Sequence, residues 1–288
     1  MKLKNALLSG VLAAVCCFGL TGCGKKAAIG NTAEEITFQT GDKIAEITIE
    51  NYGTITAKLF PEVAPTAVKN FELLAEKGYY EGLKIHRVAK DMCIQGGSLH
   101  GDGTGGTALV DESGIFPIET GTEARNFYGA LGYAADETGS NDVQFYIVNN
   151  KKPIDITQYS ADLIRNEAST VAEQEEGLDD TDPVLDQLKY QESCLTNLAD
   201  MIGGASDEVK KKYAEKGGYP LWDGSYTVFG QVYEGFDVLD KLSSVEVVTN
   251  KDGELSRPKT DIIIESVKIT EYVEPEPESE EESAASSK

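Results

Sequence analysis

The stretch IHRVAKDMCIQGG, residues 85 to 97, holds one of only two histidines in the chain, with Arg87 beside it and Gln95 eight residues on. A guanidinium stays protonated and carries its N–H donors in a stiff fork. It suits the stabilisation of a developing lone pair. A glutamine both donates and accepts, so it can fix a carbonyl or orient the arginine. Burying a charge is costly, so an arginine and a glutamine threaded among apolar side chains call for a reason. An Arg-Gln pair alone on a strand is most often a solvated face, so further blocks must support any chemistry. His86 reads as a structural, hydrogen-bonded histidine and His100 as a loop residue. Neither has carboxylates or thiolates at ligand spacing, so no metal site is expected. GDGTGG, at 101 to 106, lacks the P-loop lysine and a following helix, and reads as a turn-rich loop.

Composition and pattern describe the frame around these residues. The chain has 288 residues, 40% of them hydrophobic, and a net charge of −23. That apolar share supports a core. The acidity argues against nucleic acid, whose phosphates need basic patches. Two alternating runs, Ile44 to Glu50 and Thr54 to Phe60, flank Asn51-Tyr52-Gly53 and predict a β-hairpin. Pro65 opens a helix with Val68, Phe71, Leu74 and Ala75 on one face, ending at Gly78. Further strands are expected at Val143 to Val148, Tyr226 to Tyr233 and Ile262 to Thr270, so the architecture reads as mainly antiparallel β. Residues 150–218 break this pattern. They are helical and charged, with Asp182 as an expected N-cap, Pro183 at the first helical position, and Leu185, Leu188, Leu195, Leu198 and Ile202 at helical spacing.

The two ends differ from the rest. MKLKNALLSGVLAAVCCFGLTGC has Lys2 and Lys4, an apolar run from Ala6 to Leu20, and then Leu-Thr-Gly-Cys23. The run is shorter than the ~20 residues of a spanning helix and is laid out as a secretory signal. Residues 1–22 are therefore read as signal and 23–39 as a polar tether. Residues 274–288, EPEPESEEESAASSK, read as a disordered acidic tail. Outside the signal only Cys93 and Cys194 remain. Two cysteines do not make a disulfide scaffold, and spacing does not decide whether they pair.

IHRVAKDMCIQGG resembles the central motif of the cyclophilins, peptidyl-prolyl cis/trans isomerases, which usually reads FHR, a short link and FMxQGGD. GTITAKLFPEVAPTAVKNF, GDGTGG, GALGYAADETGSNDVQFYIV and LWDGSYTVFGQVYEGFDVLDKL resemble further blocks of that family, in the same order. The resemblance implies a closed, eight-stranded antiparallel barrel with two capping helices over residues 40–273, interrupted by the helical insert at 150–218. It also implies prolyl isomerase activity on X–Pro segments of unfolded or newly exported proteins, with no cofactor and no metal. Arg87 and Gln95 match the family's catalytic positions. His86, Met92, Cys93, Ala134, Ala135, Asp136, Tyr146, Leu221, Trp222 and Tyr226 match its substrate-binding positions. Several of these depart from the family pattern. Met92 and Cys93 replace Phe-Met, Ala135 replaces an asparagine, Tyr146 a phenylalanine and Tyr226 a histidine, and the Trp-Leu order is reversed at Leu221-Trp222. A protein-binding module of the same fold with weak or no isomerase activity is the second reading of this rebuilt wall.

The ending LTGC resembles the bacterial lipobox. It implies a diacylglyceryl thioether and an amide-linked acyl chain on Cys23, and hence a protein anchored by lipid to the outer face of the cell membrane. Two or more chains give stable anchoring where one does not. Cys23→Ser is expected to move the protein from the membrane to the soluble fraction without loss of catalysis. Fractionation and immunoblotting check this; a Cys23→Ser protein that still pellets with membranes would show that something else anchors it.

Overall fold

The computed structural model describes residues 36–121 and 124–274. The expected signal, Cys23, most of the tether and nearly all of the acidic tail lie outside these residues. Among the described residues no helix is long and apolar enough to cross a membrane.

Period-2 burial builds the first hairpin. In β1 (Lys43–Ile49) and β2 (Gly53–Leu59) the residues Ile47, Ile49, Ile55, Ala57 and Leu59 point into the core. The turn between them uses the left-handed region at Asn51 (φ 66°) and Gly53 (φ 118°). Helix α1 (Pro65–Glu76) starts on its proline and buries Ala67, Val68, Phe71 and Leu74. Its free N-terminal donors go to one carboxylate: Thr66 N–H donates to Glu119 Oε1 at 3.0 Å and Ala67 N–H to Oε2 at 2.9 Å.

Next come β3 (Ile85–Ala89), β4 (Cys93–Gly96), the short β5 (Phe116–Pro117), β6 (Ala130–Ala135) and β7 (Ser140–Val148). Three helices follow, α2 (Ala161–Glu175), α3 (Leu185–Gly203) and α4 (Asp207–Lys216). The chain closes with β8 (Val228–Glu234), α5 (Phe236–Ser243), β9 (Val247–Thr249), β10 (Leu255–Pro258) and β11 (Ile264–Glu271). The main sheet runs β11-β1-β2-β8-β6-β7-β4-β3, all antiparallel, with β5 added on β7; β9 and β10 form a separate hairpin. First and last strands are neighbours, with Lys43 opposite Glu271. The eight-strand path matches the expected number, but the closed barrel is not found. The path ends at β11 and β3, which meet only at the bridge between Lys84 and Ile263 and its flanking backbone bonds. The β9–β10 hairpin packs against β3 instead. The result is a curled, mainly β sheet around one core, in which Phe71, Tyr80, Tyr133, Phe145 and Phe229 pack ring against ring.

The helical segment has an apolar cluster of its own. Ile164, Ala168 and Val171 of α2, Leu195, Leu198 and Ile202 of α3, and Val209 and Tyr213 of α4 pack together with Phe127 from the sheet side. Helix α3 begins at Leu185, two residues later than expected, because the Asp182 carboxylate accepts from Val184 N–H at 2.9 Å in a turn that precedes the helix. A buried ionic knot ties this segment to the sheet. Asp223 Oδ2 accepts from Arg125 Nη1 at 3.0 Å and from the Tyr213 hydroxyl at 2.7 Å, while Oδ1 accepts from Asn126 N–H at 2.8 Å. Arg125 Nη2 donates to Met201 O of α3 at 3.0 Å. Burial pushes the Asp223 carboxyl above its usual range, although Arg125, Asn126 and Tyr213 all favour its charged form.

Asp223→Ala would leave Arg125, whose side chain is 2% exposed, without its counter-charge. A loss of about 3–5 kcal/mol is expected, read by denaturant unfolding. A loss below ~1 kcal/mol would show that the knot contributes little.

Candidate functional site

Cross-strand register assembles the site. Arg87 on β3 lies opposite Gln95 on β4, Gln95 lies opposite Tyr146 on β7, and Tyr146 lies opposite Gly132 on β6. Side chains of one such row share a face of the sheet. The alternate residues Val88, Ile94, Phe145, Ile147 and Leu131 go to the core. Gly132 is required by what lies over it, since a Cβ there would sit 2.4 Å from Cζ of Tyr146. The turn between β3 and β4 is clamped from β7's end: Asn149 Oδ1 accepts from Met92 N–H at 2.8 Å, and its Nδ2 donates to Ala89 O at 3.2 Å.

The guanidinium of Arg87 is held on every edge. Nε donates to Glu254 Oε2 at 2.8 Å and Nη2 to Oε1 at 2.7 Å, a bidentate fork. Nη1 faces Gln95 Oε1 at 3.4 Å and Cys93 Sγ at 3.1 Å, and Nη2 also reaches Met92 Sδ at 3.4 Å. Gln95 Nε2 donates onward to Gln144 Oε1 at 3.3 Å, and Gln144 Nε2 to Gly103 O of the glycine-rich loop, also at 3.3 Å. Burial lowers the pKa of Arg87, but the hydrogen bond and charge of Glu254 outweigh it and push the group above its ordinary value. Glu254 is correspondingly held below the usual carboxylate range. Burial pushes the Cys93 thiol up to about 11 against the pull of Arg87, so it is a neutral soft contact, not a nucleophile.

An apolar wall stands beside the guanidinium. Cys93, Tyr146, Val148 and Val228 form a buried cluster with Met92, Tyr219, Trp222 and Tyr226 packed on it. Trp222 meets the Tyr146, Tyr219 and Tyr226 rings at centroid distances of 5.1, 4.6 and 5.2 Å. The reversed order Leu221-Trp222 therefore still sends the indole to this wall, while Leu221 turns to the helical cluster with Phe127 and Tyr213. Ala134 and Ala135 end β6 half-buried, at a shift in the ladder register. The Asp136 carboxylate is spent on the next turn, accepting from the backbone N–H groups of Thr138 and Ser140 at 2.8 and 2.9 Å. The Tyr146 hydroxyl donates to Asn126 Oδ1 at 2.7 Å. His86 Nδ1 lies 3.4 Å from Ser98 Oγ, beside the row. Cys93 and Cys194 are both free thiols.

Sequence reasoning missed Glu254, Tyr219, and the clamp by Asn149. The run Asn-Lys-Asp-Gly at 250–253 announces a tight turn. Nothing local tells which cation 167 residues away the following glutamate will reach.

Known proteins share the sequence and fold of this chain. A sequence model described as "Cyclophilin type peptidyl-prolyl cis-trans isomerase/CLD" matches residues 44–163 and 213–269, leaving out the middle of the helical segment. A Staphylococcus saprophyticus protein named "Putative peptidyl-prolyl cis-trans isomerase" is 35% identical over 232 residues, covering 80% of this chain and 94% of its own. A Staphylococcus aureus protein of the same name is 33% identical, covering 77% and 89%. The fold is similar to the crystal structure of a Cryptosporidium parvum cyclophilin type peptidyl-prolyl cis-trans isomerase. The TM-score is 0.51 at 21% identity, over 81% of this chain and 99% of that one. A second structure of that protein, solved in the presence of the dipeptide Ala-Pro, matches at a TM-score of 0.50 and 22% identity, over 79% and 98%.

Burial first, and the charge of Arg87 second, depress the His86 pKa to about 4. The unfolded chain binds the proton near 6.5, so stability is full above that pH and is lost as pH falls from 6.5 towards 4. NMR titration should show His86 neutral from pH 8 to 5. His86→Gln should flatten the loss of unfolding free energy between pH 7 and 4.5; an unchanged pH dependence would place the histidine in water.

Proposed function

Because the chain belongs to the cyclophilin-type peptidyl-prolyl cis-trans isomerases, we propose that Arg87 supplies the donor that twists the X–Pro bond and that Gln95 orients it and the substrate carbonyl. The barrier to rotation is ~18–20 kcal/mol because the amide is resonance-stabilised. In the twisted state the proline nitrogen turns pyramidal and gains a lone pair. A guanidinium N–H aimed at that lone pair stabilises the twisted state more than the planar one, which is the condition for catalysis. The observation that carries this reading is the single row Arg87–Gln95–Tyr146 beside an apolar wall. Met92, Cys93, Tyr146, Trp222 and Tyr226 receive the proline ring, and the end of β6 at Ala134 and Ala135 lies along the peptide.

The two sulfur contacts fit this role. Sulfur is a weak acceptor, so the N–H groups now directed at Cys93 and Met92 can be traded for a lone pair at little cost. We assign the activity to X–Pro segments of newly exported proteins, at the outer face of the cell membrane. What supports that assignment is the charged start, the short apolar run and the Leu-Thr-Gly-Cys23 ending of the N-terminal sequence.

A protease-coupled assay on a Pro-containing peptide tests the catalytic reading. Arg87→Ala removes one preorganised donor and is expected to lower kcat/KM by about 10²–10³-fold, or ~3–4 kcal/mol. The Arg87–Glu254 pair is partly exposed, so the loss of fold stability should be small. Near-normal kcat/KM in a folded Arg87→Ala protein would sink the mechanism, and absence of activity in the unaltered protein would favour a binding module.

A further inference from the structure

The geometry points to Glu254 as a positioning residue for Arg87, a role that rests on the arginine's catalytic part proposed above. Its carboxylate takes Nε and Nη2, which fixes both the plane and the rotation of the guanidinium. Nη1 is thereby left facing Cys93 and Gln95, on the side of the apolar wall. The fork is not a casual surface contact. Arg87 is 23% exposed and Glu254 39%, and the carboxylate is itself fixed from behind. Ser256, fully buried, donates its hydroxyl to Glu254 Oε2 at 2.8 Å. Glu254 N–H donates to Asn250 Oδ1 at 2.9 Å, and Asn250 N–H to Glu254 O at 2.8 Å. On the same turn Lys251 pairs with Asp102 of the glycine-rich loop at 3.4 Å. A chain of contacts thus runs Ser256, Glu254, Arg87, Gln95, Gln144 across the β9–β10 hairpin and three strands of the sheet.

The carboxylate has two opposed effects. It neutralises part of the charge that the donor presents, and it removes the freedom of a long side chain. Orientation wins here, because the remaining N–H groups meet only weak acceptors, two sulfurs and one long amide contact. Such groups stay aimed only if the opposite edge is held.

The experiment measures kcat and KM separately for Arg87→Ala, Glu254→Ala, Glu254→Gln, Ser256→Ala and the Arg87→Ala/Glu254→Ala double variant, with thermal unfolding of each. Lys259→Ala, which removes the exposed pair with Glu246 on the same hairpin, controls for general loosening and should keep full activity. Glu254→Ala is expected to lower kcat by about 10-fold to 100-fold with KM nearly unchanged, the scale on which misplacement of a catalytic group acts. Glu254→Gln, which keeps one acceptor, should recover part of the loss, and Ser256→Ala should show a smaller loss in kcat. In the Arg87→Ala background Glu254→Ala should change nothing further. Unchanged or raised kcat in Glu254→Ala, with Arg87→Ala inactive, overturns the positioning role alone. An active Arg87→Ala protein overturns both it and the catalytic reading. Should Glu254→Ala fail to fold, unchanged kcat in both Glu254→Gln and Ser256→Ala overturns the role equally.

Discussion

Alternation along a strand is the constraint on which the site depends. In β4 and β7 every second side chain enters the core and the others go to the outer face, while in β3 a register shift between Ile85 and Arg87 puts both Ile85 and Val88 in the core and leaves Arg87 outside it. Val88, Ile94, Phe145 and Ile147 fix the register from the inside, because a slip by one residue would expose all of them. Arg87, Gln95 and Tyr146 are held in line as a consequence. The positions of the polar groups are thus set by the burial of apolar groups on the opposite side of the sheet. This is how a charged residue can be held firmly without being enclosed.

The parts of this design written in local pattern were readable from the sequence. The β1–β2 hairpin follows from alternation and a turn of Asn, Tyr and Gly, and α1 from Pro65 and the spacing of Val68, Phe71 and Leu74. Arg87 and Gln95 could be singled out together because both lie in one short motif, eight residues apart, and the structure sets them opposite each other on β3 and β4. Features assembled from distant segments were not legible. Glu254 reaches Arg87 across 167 residues, and its neighbours in sequence carry only turn signals. The short β9 and β10 have too few residues to show a period. The absence of a continuous β3–β11 ladder depends on how the β9–β10 hairpin lies against β3, a matter of packing that no run of residues encodes. Leu221 and Trp222 divide between two clusters for the same reason, since neighbours on a chain need not share a face.

The helical segment touches both the framework and the edge of the apolar wall. Through Met201 and Tyr213 it reaches Arg125 and Asp223, and Asp223 holds Asn126, whose side chain accepts from the Tyr146 hydroxyl. Tyr190 of α3 donates to Ser225 O at 2.9 Å, one residue before Tyr226, and its ring covers Gly139 in the β6–β7 turn. The helices therefore buttress the wall from outside while keeping a cluster of their own. Replacement of a phenylalanine by a tyrosine at 146 fits this arrangement. The added hydroxyl is buried and would be costly without a partner, and Asn126 supplies it.

The pairing of the first strand with the last bears on the order of events during synthesis. Lys43 and Glu271 are 228 residues apart and face each other across the edge of the sheet. A nascent chain that has made β1 and β2 carries a hairpin whose outer neighbour does not yet exist, with one row of backbone donors and acceptors open. That row stays open until β11 is delivered, after every other described strand and helix. Long-range pairing of this kind is slow and exposes an adhesive edge in the meantime. This isomerase thus depends on a strand near residue 270 to close off an edge formed near residue 45.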